Sequence, residues 1–134
     1  MFQPYKSQAT AYSRVYVETG VESAGPHQLV SLLIDGALSA IATAHRAIDQ
    51  RDLDGKVRAI RRATGIVEEG LLGTLDMDQG GEVARTLENL YRCVLLRLTN
   101  ALAKNDTAQL RECSDLLTPL RDAWYAIGPK RLAS

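Results

Sequence analysis

The chain has 134 residues, and its 16 lysines and arginines balance its 16 aspartates and glutamates. This length suits one domain with a single core, and the balanced charge gives no overall field that would attract nucleic acid or an anionic membrane. We therefore exclude a multidomain enzyme and expect any partner to be recognised mainly by shape and apolar surface.

The N-terminal stretch MFQPYKSQATAYSRVY lacks the apolar run of a signal peptide. No segment shows the roughly 20 apolar residues that span a bilayer. We therefore expect a soluble, cytosolic protein that does not insert into a membrane.

The N-terminal stretch also holds Phe2, Tyr5, Tyr12 and Tyr16, although disordered tails are usually poor in aromatic residues. We expect it to form a helical or extended arm that docks on the rest of the domain.

The first long helix is predicted within GPHQLVSLLIDGALSAIATAHRAI, residues 25–48. Pro26 suits the first helical position, where its missing N–H has no partner, so Gly25 is the expected cap. Apolar residues nearly encircle the first two turns: Leu29, Val30, Leu32, Leu33 and Ile34. A helix in a small bundle normally keeps one side for water, so this surplus must be covered by the core, by the arm or by a partner.

Three further apolar stripes, with spacings of three and four residues, predict three more helices. The second stripe is Leu53, Val57, Ile60, Thr64, Val67 and Leu71; the third is Ala84, Leu87, Tyr91, Val94, Leu98 and Ala101; the fourth is Leu110, Cys113, Leu117, Leu120, Trp124 and Ile127. Gly80 and Gly81 allow a turn with positive φ before the third helix, and Pro119 predicts a kink in the fourth.

The turns between these helices are too short for anything but antiparallel neighbours. The sequence therefore predicts an all-α, up-down-up-down four-helix bundle. We assign residues 1–24 to the N-terminal arm, 25–128 to the bundle and 129–134 to a C-terminal tail.

Catalysis finds little support in the residue pattern. A di-metal centre in a helical bundle needs Glu-x-x-His pairs, and neither His27 nor His45 has a glutamate three residues earlier. Cys93 and Cys113 lack a nearby histidine, and we expect reduced core thiols. With a turn near Asn105, Cys93 should lie opposite about residue 118. We expect no enzyme, no metal and no cofactor. A phosphotransfer bundle using His45 is the remaining enzymatic alternative.

Several stretches, taken together, resemble the flagellin-specific secretion chaperones of bacterial flagellar export, the FliS family. They are SAGPHQLVSLLIDGALSAIATAHRAI, LDMDQGGEVARTLENLY, KNDTAQL and LRDAWYAI, and the resemblance runs from Tyr12 to Ile127. It implies a helical bundle that holds the disordered C-terminal segment of flagellin, prevents premature polymerisation and docks on the cytosolic domain of the membrane export gate. A generic helical adaptor or dimerisation module is the alternative.

The surplus apolar surface and the resemblance together suggest the contact residues. We predict a flagellin-binding surface made of Leu29, Leu32, Leu33, Ile34, Val67 and Leu71. Tyr12 occupies the place of the N-terminal tyrosine of the family pattern, which implies an export-gate contact at Tyr12 and nearby Val15. The aromatic arm, residues 2–16, is expected to cover part of this surface until flagellin displaces it.

Overall fold

The computed structural model describes the backbone of residues 25–133 and the side chains of residues 25–128. Four α-helices follow one another: α1 (Pro26–Asp49), α2 (Leu53–Gly65), α3 (Met77–Lys104) and α4 (Thr107–Ala133). A π-helical turn (Ile66–Leu71) and a 3-10 turn (Leu72–Thr74) continue α2. This part of the chain contains no β-strand, and the predicted all-α class is confirmed.

Each helix packs against the helices next to it in the chain, and α4 also packs against α1. The π-helical turn packs against both α1 and α3. Residues 50–52 connect α1 to α2, and residues 105–106 connect α3 to α4. Because such short links can join only antiparallel neighbours, the helices run up, down, up and down. The predicted four-helix bundle is confirmed.

The start of α1 is built as predicted, with Gly25 at the N-cap and Pro26 as the first helical residue. Both flanks of α1 are covered, one by α2 and the π-helical turn and the other by α4. The buried side chains therefore extend around more than half of the helix: His27, Ser31, Leu33, Ile34, Ala37, Ala40, Ile41, Ala44 and Ala47. The core thus covers Leu33 and Ile34 fully and Leu29 and Val30 in part, and Leu32 remains 49% exposed.

By length and composition alone, α1 is also apolar enough to cross a membrane. The prediction that no segment is apolar enough to span a bilayer is therefore wrong for α1. A core helix of a soluble protein can meet the same condition, because a helix covered on two flanks is apolar around much of its circumference.

The third and fourth stripes mostly face the core. Ala84, Tyr91, Val94, Leu98 and Ala101 are buried on α3, and Leu110, Cys113 and Leu117 are buried on α4. The second stripe is confirmed at Ile60, Val67 and Leu71, but Leu53 is 64% exposed. Leu53 lies about a quarter turn away from the buried face, because each residue advances an α-helix by about 100°.

Two backbone predictions have different outcomes. Gly81 adopts φ 58° and ψ −130°, so the predicted positive φ is confirmed there, within the first turns of α3. The kink at Pro119 stays a prediction, because the non-helical angles inside α4 belong to Gly128, with φ 72°. Pro119 and Asp115 are both exposed, so water can reach the carbonyl that lacks its helical partner.

The register between α3 and α4 also differs from the expectation. The Cys113 thiol donates a hydrogen bond to the Val94 carbonyl across 3.6 Å, so Cys93 lies beside residue 113 rather than opposite residue 118. Both cysteines are free, with Cys93 half-buried and Cys113 buried. Burial raises the pKa of Cys113 to about 12, so this side chain remains a neutral thiol near pH 7.

A reciprocal pair joins the start of α1 to the end of α4. The His27 and Trp124 rings stack with centroids 5.2 Å apart and planes inclined by 7°. His27 Nε2 donates to the Trp124 carbonyl at 2.7 Å, and Trp124 Nε1 donates to the His27 carbonyl at 2.8 Å. His27 is thus a buried structural histidine whose ring orientation is fixed by a single partner residue.

Removing one donor from this pair should weaken the bundle. We expect Trp124→Phe to lower the free energy of unfolding by about 1–2 kcal/mol, because the His27 carbonyl loses a hydrogen-bond donor in a largely buried place. Tyr125→Phe is the control for an exposed hydrogen bond: it removes the bond from the Tyr125 hydroxyl to Asp35, and it should cost less than about 1 kcal/mol because water can replace the lost partner. Urea titration followed by circular dichroism measures both values, and equal losses would contradict the structural role of the pair.

Candidate functional site

Exposed large apolar side chains are concentrated in one half of the described bundle. Seven such residues are exposed, and five belong to the half where α1 and α3 begin and α4 ends: Leu32, Met77, Val83, Tyr125 and Ile127. Of the others, Leu53 begins α2 at the opposite end and Leu96 lies farther along α3. We name the group of five the apolar end.

Half-buried side chains extend the apolar end toward the core. Leu29 lies in the first turn of α1. Leu72 begins the 3-10 turn that follows α2, and Leu75 comes directly after this turn. Leu87 and Leu120 belong to facing parts of α3 and α4. Each packs against the core with part of its surface and shows the rest to solvent. An apolar ligand that binds here would therefore contact side chains that are packed against the core.

Tyr125 is held in place by a polar contact within the apolar end. Its hydroxyl donates to Asp35 Oδ2 on α1 at 2.5 Å. This hydrogen bond to Asp35 is the main reason why the pKa of Tyr125 lies above its ordinary value. The phenol is thus neutral near pH 7, and its ring remains available to an apolar partner while its hydroxyl is satisfied.

The residues predicted to bind flagellin fall into two groups. Leu32 is 49% exposed and Leu29 is half-buried, so both can contact a partner. The other four, Leu33, Ile34, Val67 and Leu71, are at most 5% exposed. Their expected place on the exterior is wrong. On α1, Leu33 and Ile34 are covered by the neighbouring elements, and Val67 and Leu71 lie in the π-helical turn, which packs against α1 and α3. Tyr12 and Val15, the predicted gate contacts, lie outside the described residues.

Neither histidine has the surroundings of a metal ligand. Within residues 25–128, no three His, Cys, Asp or Glu side chains come close enough together to hold a metal ion. His45 Nδ1 lies 3.1 Å from Asp49 Oδ2, one turn further along α1, and this is an ordinary contact between neighbouring turns.

The structure adds one buried charged residue that sequence reasoning missed. Lys56 is only 6% exposed, and its Nζ donates to Asn105 Oδ1 at 2.5 Å and to the Leu102 carbonyl at 3.2 Å. It thereby ties α2 to the end of α3 and to the following turn, where Asn105 adopts a left-handed conformation with φ 54°. In the sequence, the position of Lys56 between Leu53 and Val57 of the second stripe could have indicated that its side chain is buried.

Comparison with known proteins fixes the family. The family model described as flagellar protein FliS matches residues 8–131. The chain belongs to the FliS family. The flagellar secretion chaperone FliS of Salmonella typhimurium is 41% identical over 120 residues, which are 90% of this chain and 89% of the relative. FliSB of Pseudomonas aeruginosa is 38% identical, covering 87% and 91%, and FliS of Bacillus subtilis is 30% identical, covering 81% and 80%.

Membership in the FliS family confirms the resemblance found in the sequence. The relatives are named flagellar secretion chaperones, which supports a role for this chain as a flagellar export chaperone. A family of secretion chaperones also points to a non-enzymatic role. The exposed apolar side chains of the apolar end are compatible with such a role.

A pair of neighbouring leucines tests where core and exterior meet on α1. Leu33→Ala should lower the free energy of unfolding by about 2–5 kcal/mol, because it leaves a cavity in the core. Leu32→Ala should lower it by less than about 1 kcal/mol, because half of that side chain is in water already. Thermal and urea denaturation measure both, and a larger loss for Leu32→Ala would reverse the placement of the two residues.

Proposed function

We propose that this chain holds the disordered C-terminal segment of flagellin in the cytosol and keeps it from polymerising until export. The observation that carries the proposal is the apolar end, where five exposed large apolar side chains share one half of a bundle whose relatives are flagellar secretion chaperones. The loaded chaperone then delivers its client to the cytosolic domain of the flagellar type III export gate.

An unfolded amphipathic segment is a suitable client for such a surface. Its apolar residues lie against Leu32 and Ile127, on the neighbouring helices α1 and α4, while its polar side faces water, as amphipathic segments do in apolar grooves. The client loses conformational entropy when it becomes ordered, so the affinity is moderate for the area buried. Moderate affinity lets the export gate remove the client.

In this proposal, the predicted contact residues have two different roles, which depend on how far each side chain is buried. We assign direct contact with flagellin to Leu29 and Leu32, which reach the surface. The four buried residues support this contact indirectly, because they hold α1 against the π-helical turn: Leu33, Ile34, Val67 and Leu71. Residues 1–24 form the arm in this proposal, and Tyr12 and Val15 contact the export gate.

A charge placed at the apolar end should disrupt client binding. We expect Leu32→Asp to weaken binding of a flagellin C-terminal peptide by about tenfold or more, because a carboxylate would lose water against an apolar client. Leu53→Asp is the matched control: it makes the same change at an even more exposed leucine, at the opposite end of the bundle. Its effect should stay below about twofold. Isothermal titration calorimetry with full-length protein measures both affinities.

Circular dichroism must show that both variants retain the helical content and melting temperature of the wild type. A folded Leu32→Asp variant that binds the peptide normally would place the client surface elsewhere. Absence of binding by the wild-type protein would contradict the assignment of flagellin as the client.

Delivery to the gate has a separate test. We expect Tyr12→Ala to reduce the affinity of the flagellin-loaded chaperone for the purified gate domain by about tenfold, as loss of a central aromatic contact does. Tyr16→Ala, a change of the same kind four residues later, should leave that affinity within about twofold of the wild type. Titration of both loaded complexes decides, and unchanged affinity for Tyr12→Ala removes Tyr12 from the gate contact.

A further inference from the structure

A groove runs between α1 and α2 in the half of the bundle away from the apolar end. It encloses about 450 Å³, which lies within the range of protein binding sites. Its floor consists of small buried residues, with Ala40 and Ala47 from α1 and Gly55 and Ala59 from α2. The short side chains leave a depression between the two helices that longer side chains would fill.

Positive charge lines the walls of this groove. Arg46 extends from α1, and Arg58 and Arg62 extend from α2, and all three side chains are exposed. Arg46 Nη2 donates to the Thr43 hydroxyl at 3.1 Å, so its guanidinium is held beside another groove residue. Ser39 and Gln50 add uncharged polar groups to the same lining.

The three arginines have no ionic partner among the described side chains. The ion pairs within residues 25–128 are His45 with Asp49, Arg92 with Glu88, Arg97 with Glu112, and Arg121 with Asp122. One carboxylate, that of Asp52, does line the groove, but it accepts a 2.9 Å hydrogen bond from the Gly55 N–H as the cap of α2. The groove therefore has more positive charge than its own acidic residue balances.

We propose that this groove binds an acidic helical segment of a partner protein. A guanidinium group pairs with a carboxylate through two parallel hydrogen bonds, which makes arginine well suited to this partner. Arg58 and Arg62 are four residues apart, so they lie about 6 Å apart along α2, and glutamates four residues apart on a partner helix have the same spacing. The small floor lets the backbone of that helix come close.

Nucleic acid and anionic lipid fit this groove less well than an acidic protein segment does. Both are attracted by broad positive surfaces, and this chain is neutral overall. Asp52 and Asp54 flank the start of α2, so the positive charge is confined to the stretch around Arg58 and Arg62. A narrow charged stretch above a small-residue floor selects a ligand that carries a few carboxylates on one face.

The proposal is independent of flagellin binding, because the groove and the apolar end lie in opposite halves of the bundle. Its test uses the full-length chaperone without client and a fluorescein-labelled peptide. The peptide is an alanine-rich helix about five turns long, with glutamate at every fourth position. A control peptide carries glutamine at the same positions. We expect the glutamate peptide to bind about tenfold more tightly than the control, as measured by fluorescence anisotropy.

Two double variants test whether the groove is the site. Arg58→Gln with Arg62→Gln should weaken binding of the glutamate peptide by about tenfold or more. Arg61→Gln with Arg111→Gln removes the same net charge from exposed arginines outside the groove and should change the affinity by less than about twofold. Equal losses in both double variants would show attraction by net charge alone and overturn the proposal.

Ser39→Trp tests the shape of the groove without altering its charge. Ser39 lines the groove and is exposed, so an indole there should occupy the depression while the bundle stays folded. We expect about fivefold weaker peptide binding, as steric exclusion predicts. An unaffected affinity would overturn insertion into the groove. Binding of phosphatidylserine vesicles or duplex RNA, lost in the Arg58 and Arg62 variant, with no binding of the glutamate peptide, would overturn the choice of a protein partner.

Discussion

The fold depends on the close approach of α1 and α2, which short side chains permit. Ala40, Ala44 and Ala47 are buried on α1, and Ala59 and Ala63 are buried on α2. Because these side chains take little space, larger ones such as Ile34, Ile60 and Leu117 can fill the centre of the bundle. The same interface leaves a furrow on its outer side, where Arg58 and Arg62 rise above an alanine and glycine floor. One packing choice thus determines both the core and an outer surface.

The two halves of the bundle differ in their chemistry although the chain is neutral overall. Exposed leucine, valine, isoleucine and aromatic side chains collect where α1 and α3 begin, while the arginine-lined groove lies toward the α1–α2 turn. Summed charge hides this separation, because acidic residues elsewhere balance the arginines. The expectation that partners are recognised mainly by shape and apolar surface stays a prediction, and it was drawn from the summed charge alone, which does not show the arginine-lined groove.

Much of the fold could be predicted from the sequence, since spacings of three and four residues define the buried faces of α3 and α4 directly. The residues of the candidate site were harder to predict from the sequence than the helices. Periodicity on α1 cannot show how many neighbours flank a helix, so Leu33 and Ile34 were placed outside although both are core residues. Lys56 was missed because a lysine is normally solvated, and only the tertiary contact with Asn105 explains its burial. The register that places Cys113 beside Val94 depends on the left-handed residue at the α3–α4 turn, which periodicity does not encode.

The His27–Trp124 pair has a consequence for how fast the bundle forms. Its partners are 97 residues apart, so most of the described chain must be ordered or looped out before these rings can meet. Closing such a loop costs entropy that contacts between neighbouring helices do not, and proteins with many distant contacts fold more slowly than those with local ones. We therefore expect the antiparallel α1–α2 and α3–α4 hairpins to assemble first and α1 to join α4 afterwards. Because the apolar end takes Leu32 from α1 and Tyr125 and Ile127 from α4, we expect it to reach its final form only in this last step.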